Sequence, residues 1–304
     1  MQAIRERERY RAGLHRGRKP PYRWPMIVLE SGAARLELCP EVGGAVAGFS
    51  VDGRDILRPM AKGATDALQV SSFPLVPFCN RVPDGRFSFE GRAVSLAPNL
   101  AGHPHPLHGQ GWRAVWTVDE AKGDRAVLSY DHAPSDWPWA YRAQQRFRLT
   151  DSALRVDLSV TNTADTPMPA GLGLHPYFPR RPGEVLKASV DGVWMVDQDV
   201  LPTVLHKGVW GPDWAGGAPV EGHDGLIDHC YTGWTQTAAL SAPGLPTTML
   251  TASPQCRWLH VYVPPGEAYY CVEPCASRPD PFGAPDAGVV TLAPGESHAI
   301  WMEI

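Results

Sequence analysis

Long apolar runs are missing from this chain. No stretch approaches 18 consecutive apolar residues, which argues against a membrane-spanning helix. Cysteine is also scarce: the six, Cys39, Cys79, Cys230, Cys256, Cys271 and Cys275, are too thinly spread over 304 residues for a disulfide scaffold. Cys271 and Cys275 lack the second Cys or His pair that a structural zinc site needs, so no metal is expected. Free thiols, mostly buried, in a reducing cytoplasm are the expectation. The first twenty residues lack the apolar stretch of a secretory signal. They carry seven Arg or Lys against two Glu, which leaves the remainder more acidic than the net charge of −4 for the whole. An acidic body disfavours nucleic acid and polyphosphate, and no aromatic-interleaved basic patch supports such a partner. Residues 1–25 read as a basic, solvated arm and residues 26–304 as one domain.

Several nucleotide and nucleophile signatures are absent as well. There is no P-loop and no Gly-x-Ser-x-Gly elbow, and Gly171-Leu172-Gly173 lacks both the third glycine and the helix of a dinucleotide site. Helical periodicity is nearly missing beyond the first twenty residues. What the chain has instead is 30 glycines and 31 prolines set at short intervals between alternating runs. Leu154–Val160 alternates apolar and polar strictly and follows Gln145–Leu149 across Asp151-Ser152-Ala153, which predicts a hairpin. Asp52-Gly53 and Glu90-Gly91 mark two more tight turns. Arg257–Val263, Tyr269–Val272 and Glu296–Ile304 read as further strands. Many short strands with frequent turn signals predict an all-β fold, a large antiparallel sandwich or barrel.

Polar and ionisable residues gather in a few segments among these breakers: Pro77–Gly85, His103–Trp112, Gly171–Phe178, Ile227–Tyr231 and Tyr270–Pro274. Each has a structural reading. A histidine beside proline is commonly a satisfied structural group, Asn80-Arg81 can cap a turn, and Glu273 can be a sheet-edge charge. His103, His105 and His108 resemble a metal cluster in composition, yet two prolines stiffen the stretch and no carboxylate lies within it. Together the segments suit a sugar, which is held by planar polar groups with an aromatic nearby. Arg81, Asn80, His108 and Asp228 are candidates for its hydroxyls, with Tyr177, Trp112 and Trp258 as stacking platforms. A His and a Glu, with ordinary pKa values near 6.5 and 4.3, supply a proton donor and acceptor near neutral pH.

The order of these motifs resembles the aldose 1-epimerase (galactose mutarotase) family. Leu75–Phe87 is similar to that family's apolar-Pro-Phe-x-Asn-Arg run and the Gly-Arg-Phe after it. Leu107-His108-Gly109 with Trp112 resembles its Leu-His-Gly motif, and Gly171–Phe178 its Gly-x-Gly-x-His-Pro-Tyr-Phe motif. Glu273, Pro279-Asp280 and Pro294-Gly295-Glu296 resemble its closing elements, so the likeness runs from about residue 26 to 304. It implies a large antiparallel β-sandwich (the galactose mutarotase-like supersandwich) with a sugar in an open cleft. It also implies His175 as general acid and Glu273 as general base, with Arg81, His108 and Asp228 on sugar hydroxyls and Asn80 and Tyr177 assisting. The implied reaction opens the ring of a free aldose, rotates the C1–C2 bond and recloses it. It needs no cofactor, since both steps are proton transfers.

Pro179-Arg180-Arg181 and Pro274-Cys275-Ala276 depart from the family's better-known members in regions that contact substrate, so the sugar stays open. Two alternatives remain beside the epimerase: a carbohydrate sensor without turnover, and a mutarotase for sugar phosphates. The second would draw on Arg142, Arg180, Arg181 or Arg278. A glycoside hydrolase would need a second facing carboxylate, which no motif supplies. The oligomeric state, monomer or homodimer, is not legible.

Overall fold

The computed structural model describes residues 26–304; the basic arm read over residues 1–25 lies outside the described residues. The predicted hairpin forms as Tyr141–Leu149 paired antiparallel with Leu154–Asn162, in register from Tyr141 opposite Asn162 to Leu149 opposite Leu154. Ala143, Phe147, Val156, Leu158 and Val160 turn inward, while the intervening Arg, Asp and Ser residues reach toward solvent. The two tight turns are also present. Asp52 and Gly53 have φ of 52° and 71°, and Glu90 and Gly91 47° and 80°. Positive φ at both central residues is the turn chirality that matches strand twist.

The fold is nearly all β and every named strand pair is antiparallel. Among the described residues, helix is confined to short 3₁₀ turns such as Gly111–Arg113. Two large sheets stack as a sandwich. The nine-stranded one centres on Ser297–Glu303, Leu154–Asn162 and Tyr141–Leu149. The eleven-stranded one runs, in spatial order, through Ala45–Val51, Ser72–Leu75, Gly173–Pro179, Tyr269–Cys275, Trp258–Val263 and Ile227–Thr232. Phe147, Leu158, Ile300 and Met302 from one sheet meet Leu174, Phe178, Leu259, Val261 and Val272 from the other in the main core.

The central strands of the larger sheet are buried on both faces. Their even and odd residues therefore serve two different environments. Leu174, Val272, Leu259 and Val261 enter the core between the sheets. Phe73, Tyr177, Cys230, Trp258, Cys271 and Cys275 lie on the opposite face, in a second apolar cluster with Trp112 and Leu107. That second face carries the ionisable groups. All six cysteines are free and buried.

Candidate active site

Strand register alone lines up most of the site. Gly173 stands opposite Cys275 and Tyr177 opposite Cys271, which sets His175 level with Glu273. His175 is opposite Phe73 on its other side, Glu273 is opposite His260, and His260 is opposite Cys230. Phe73, His175, Glu273, His260 and Cys230 thus form one row across five adjacent strands. Residues opposite one another across an antiparallel pair sit with side chains in contact. His175 Nε2 lies 3.2 Å from Glu273 Oε1. Phe73 and Tyr177 stack on the imidazole, with ring centroids 4.5 and 4.7 Å away.

Two glycines show why the flanking motifs take the form they do. A Cβ on Gly173 would stand 2.6 Å from the Cys79 sulfur and 2.9 Å from Leu75 Cδ1, so only glycine lets the strand with His175 sit so close to its neighbours. Gly109 has φ of 71°, and a Cβ there would meet the Val76 carbonyl oxygen at 2.2 Å. This close approach fixes the loop that presents His108. Trp112 holds the same loop by donating its indole N–H to the carbonyls of Leu107 and Gly109, both at 3.1 Å.

Asn80 and His108 both adopt left-handed backbone, φ 59° and 63°. Asn tolerates that region; His does so less readily. The two residues hold each other there: His108 N–H donates to the Asn80 carbonyl at 3.0 Å, and Asn80 N–H donates to His108 Nδ1 at 3.1 Å. His108 therefore carries its proton on Nε2. Burial, helped by the charges of His175 and Arg81, holds this imidazole well below its ordinary pKa, so it stays neutral.

Beside the row, four side chains close a ring of hydrogen bonds. Arg81 Nη2 donates to Asp228 Oδ2 at 3.4 Å, and His260 Nε2 meets Asp228 Oδ1 at 2.6 Å. His260 Nδ1 meets Asn80 Nδ2 at 3.4 Å, and Asn80 Oδ1 accepts from Arg81 Nη1 at 3.3 Å. A proton on His260 Nε2 lets it donate to Asp228, while Nδ1 accepts from the Asn80 amide. Burial alone would raise the Asp228 carboxyl, but the Arg81 charge and the His260 hydrogen bond hold it well below the carboxylate range. Asp280 N–H donates to the Arg81 carbonyl at 3.0 Å, which gives the Pro279-Asp280 motif a supporting task.

The central pair behaves differently. Burial is the main cause that pushes His175 down to about 3, and the Arg58 guanidinium adds to it. Burial and the negative charge of Asp228 push the Glu273 carboxyl well above its ordinary range. Both groups disfavour their charged forms in this low-dielectric setting. Between the depressed His175 value and the raised Glu273 value the two together hold one proton, which rests on the carboxyl.

The structure brings His175, Glu273, Asn80, Arg81, His108 and Asp228 to one place, and adds His260, which the motifs did not mark. Tyr177 lands beside them, but its ring is enclosed by His175 and by the Arg58 guanidinium, 3.8 Å from its centroid. With 3% of its surface exposed it supports His175 rather than offering an open face. Trp112 and Trp258 are likewise buried and do not serve as open stacking platforms. The three histidines of residues 103–108 do not converge, since His105 Nδ1 accepts from Asp84 N–H and His108 Nδ1 from Asn80 N–H. Two surface depressions elsewhere, one beside Asn99 and Arg113 and one beside Arg148 and Glu303, pair no imidazole with a carboxylate.

Comparison with known proteins identifies the family. The family model for aldose 1-epimerase matches residues 25–304. The uncharacterised Escherichia coli K12 protein YphB is 34% identical over 298 residues, covering 92% of this chain and 98% of YphB. The crystal structure of a candidate aldose 1-epimerase from Escherichia coli K12 superposes with a TM-score of 0.86 at 32% identity, covering 92% of this chain and 97% of that one. A galactose mutarotase-like protein from Clostridium acetobutylicum shares the fold with a TM-score of 0.82 at 20% identity, over 94% and 96% of the two chains. A family model spanning nearly the whole described chain, joined to relatives of matching length, leaves one conclusion: the chain belongs to the aldose 1-epimerase family.

Proposed function

We propose that the protein interconverts the α and β anomers of a free, uncharged aldose. The observation that carries this reading is the His175–Glu273 contact, an imidazole and a carboxyl 3.2 Å apart. The anomeric hydroxyl and the ring oxygen of an aldose are bonded to the same carbon. An acid and a base serving both must therefore face the same carbon. The step runs from the less favoured, charged form of the pair: Glu273 as carboxylate takes the anomeric proton while His175 as imidazolium gives one to the ring oxygen. The free aldehyde rotates about C1–C2, and the pair runs the step backwards with roles exchanged. Each positioned acid or base contributes roughly 10²- to 10⁴-fold.

Asn80, Arg81, His108 and Asp228 are assigned to the sugar hydroxyls. His108 offers Nε2–H as a donor, while the fixed Arg81–Asp228 pair offers donor and acceptor edges together. Tyr177 and Phe73 hold the imidazole plane. The choice of an uncharged sugar rests on where the spare arginines went. Arg142 pairs with Asp119 and Asp131, and Arg181 pairs with Glu184. Arg180 donates to the carbonyls of Pro264 and Tyr269. Arg278 donates to the Pro279 carbonyl and lies over Trp194. Each of the four already has local partners for its terminal nitrogens, which weakens the case for a phosphate dianion.

Polarimetry and exchange NMR on freshly dissolved α-glucose, α-galactose and pentoses test the reading directly. The protein is expected to accelerate equilibration of at least one of these, and to act more slowly on the matching 6-phosphate. Binding of sugars without acceleration would instead support a sensor. A preference for the phosphate would overturn the uncharged-sugar assignment.

A further inference from the structure

Cys271 is used by nothing above, yet it lies two residues before Glu273 on the same strand and face, level with Tyr177. Its sulfur, one nitrogen of His175 and one carboxylate oxygen of Glu273 all lie within 4.8 Å of one another. All three residues are buried. We propose that this trio is a binding site for a thiophilic divalent cation such as Zn²⁺ or Cd²⁺, overlapping the proton-transfer pair and blocking it when filled.

The donor set suits such an ion. Zn²⁺ takes sulfur at about 2.3 Å and nitrogen or oxygen at about 2.0–2.2 Å in tetrahedral geometry. Those lengths place neighbouring ligand atoms about 3–4 Å apart, and His175 Nε2 and Glu273 Oε1 are already 3.2 Å apart. The Cys271 sulfur, within 4.8 Å of both atoms, completes the set by moving inward to that spacing. One thiolate and one carboxylate neutralise the divalent charge, which matters in a site with almost no water contact. A neutral imidazole completes three ligands and leaves a fourth position for water or a sugar hydroxyl. Binding displaces the thiol proton of Cys271 and the shared proton of the His175–Glu273 pair, so up to two protons leave per ion. A soft sulfur donor disfavours Mg²⁺ and Ca²⁺, which take oxygen ligands.

The metal site itself does not require the epimerase reading; the blocking of anomer exchange does. The test therefore starts without sugar. Cd²⁺ titrated into the full chain is expected to raise a thiolate-to-metal charge-transfer absorption that saturates near one ion per chain, while Mg²⁺ raises none. Cys271→Ser should remove that absorption, and His175→Asn should weaken binding by at least ~10-fold, the loss expected even from an outer-shell change. Cys230→Ser, checked beside them for native folding by circular dichroism, should leave the absorption intact. No absorption, or an absorption that survives in folded Cys271→Ser and Cys271→Ala, would overturn the site. In the second assay, Cd²⁺ should suppress anomer exchange and a chelator should restore it. Full exchange with the site saturated would refute the blocking role, whereas saturation in a protein that exchanges no sugar would overturn only the epimerase reading.

Discussion

Glu273→Gln is expected to slow anomer interconversion by about 10²- to 10⁴-fold while leaving the sugar's apparent affinity nearly unchanged. The amide keeps the shape of the carboxyl and its place opposite His260, but it can neither take nor return a proton. The loss should therefore appear in kcat, since proton transfer develops only in the transition state. Stability should not fall, because the substitution removes a buried ionisable group that burial already disfavours in its charged form. His175→Asn should lose a similar factor, and the double variant little more, as groups acting as a unit are non-additive. Steady-state polarimetry on folded variants decides this. Wild-type kcat in Glu273→Gln would remove the carboxyl from the mechanism.

Arg81→Met should do its damage through binding and stability rather than through proton transfer. It keeps an apolar stem but strands Asp228, whose side chain is 10% exposed, with His260 as its remaining partner in the ring. Breaking a buried pair from one side typically costs about 3–5 kcal/mol, and the surviving His260 bond puts this case near the lower end. The sign with pH follows from the direction of the Asp228 shift. Its depressed native pKa contributes stability above the ordinary carboxylate range, and that contribution is lost as pH falls through the native value. The variant's deficit should be full at neutral pH and narrow as pH drops into the carboxylate range, where Asp228, freed of the Arg81 charge, takes up a proton before it does in the native protein. Adding Asp228→Asn should recover part of the loss, because the stranded charge is gone. Urea unfolding at two pH values, with calorimetric sugar binding, measures both effects. A deficit equal at both pH values, or none, would contradict the buried-pair account.

Much of this site was readable from the chain because its members sit in motifs that make steric sense. Gly173 precedes His175 by two residues since sulfur and leucine atoms crowd the strand there, and Gly109 follows His108 since a carbonyl presses on it. The strands were readable wherever one face is wet. Leu154–Asn162 alternates because its polar side meets solvent. His260 escaped notice for the opposite reason. Trp258–Val263 is buried on both faces, so polarity along it does not announce a site. Only its pairing with Tyr269–Cys275 sets His260 against Glu273. The signal was present in principle, because the two strands form a hairpin around Pro264-Pro265-Gly266 and counting from the turn yields the register. Cys271 was hidden in the same way, one thiol in an apolar-looking run.

Tyr177 and Trp112 show the converse limit. An aromatic beside a sugar motif suggests a stacking platform, but exposure of a ring face depends on what folds over it. Arg58, from a loop with no motif of its own, covers Tyr177, and Trp112 is consumed in holding the His108 loop. Arg180 and Cys275, two of the departures from better-known family members, also turn out to have local tasks. Arg180 ties two backbone carbonyls, and Cys275 packs against Gly173.

The pH dependence of kcat/KM for anomer exchange tests the central claim most directly. Independent groups with ordinary values would need Glu ionised above about 4.3 and His protonated below about 6.5, giving a narrow bell between those limits. A His175–Glu273 pair that holds a single proton behaves otherwise. His175, depressed to about 3, does not bind a second proton until strongly acid pH, and the raised Glu273 keeps the shared proton well past the ordinary carboxylate range. The account predicts a window displaced from that bell, with its acid limb at the depressed His175 value, below the ordinary carboxylate range, and its alkaline limb set by the raised Glu273. A rate that is lost on acidification with the ordinary titration of glutamate near 4.3, or no protein-dependent exchange at any pH, would contradict it.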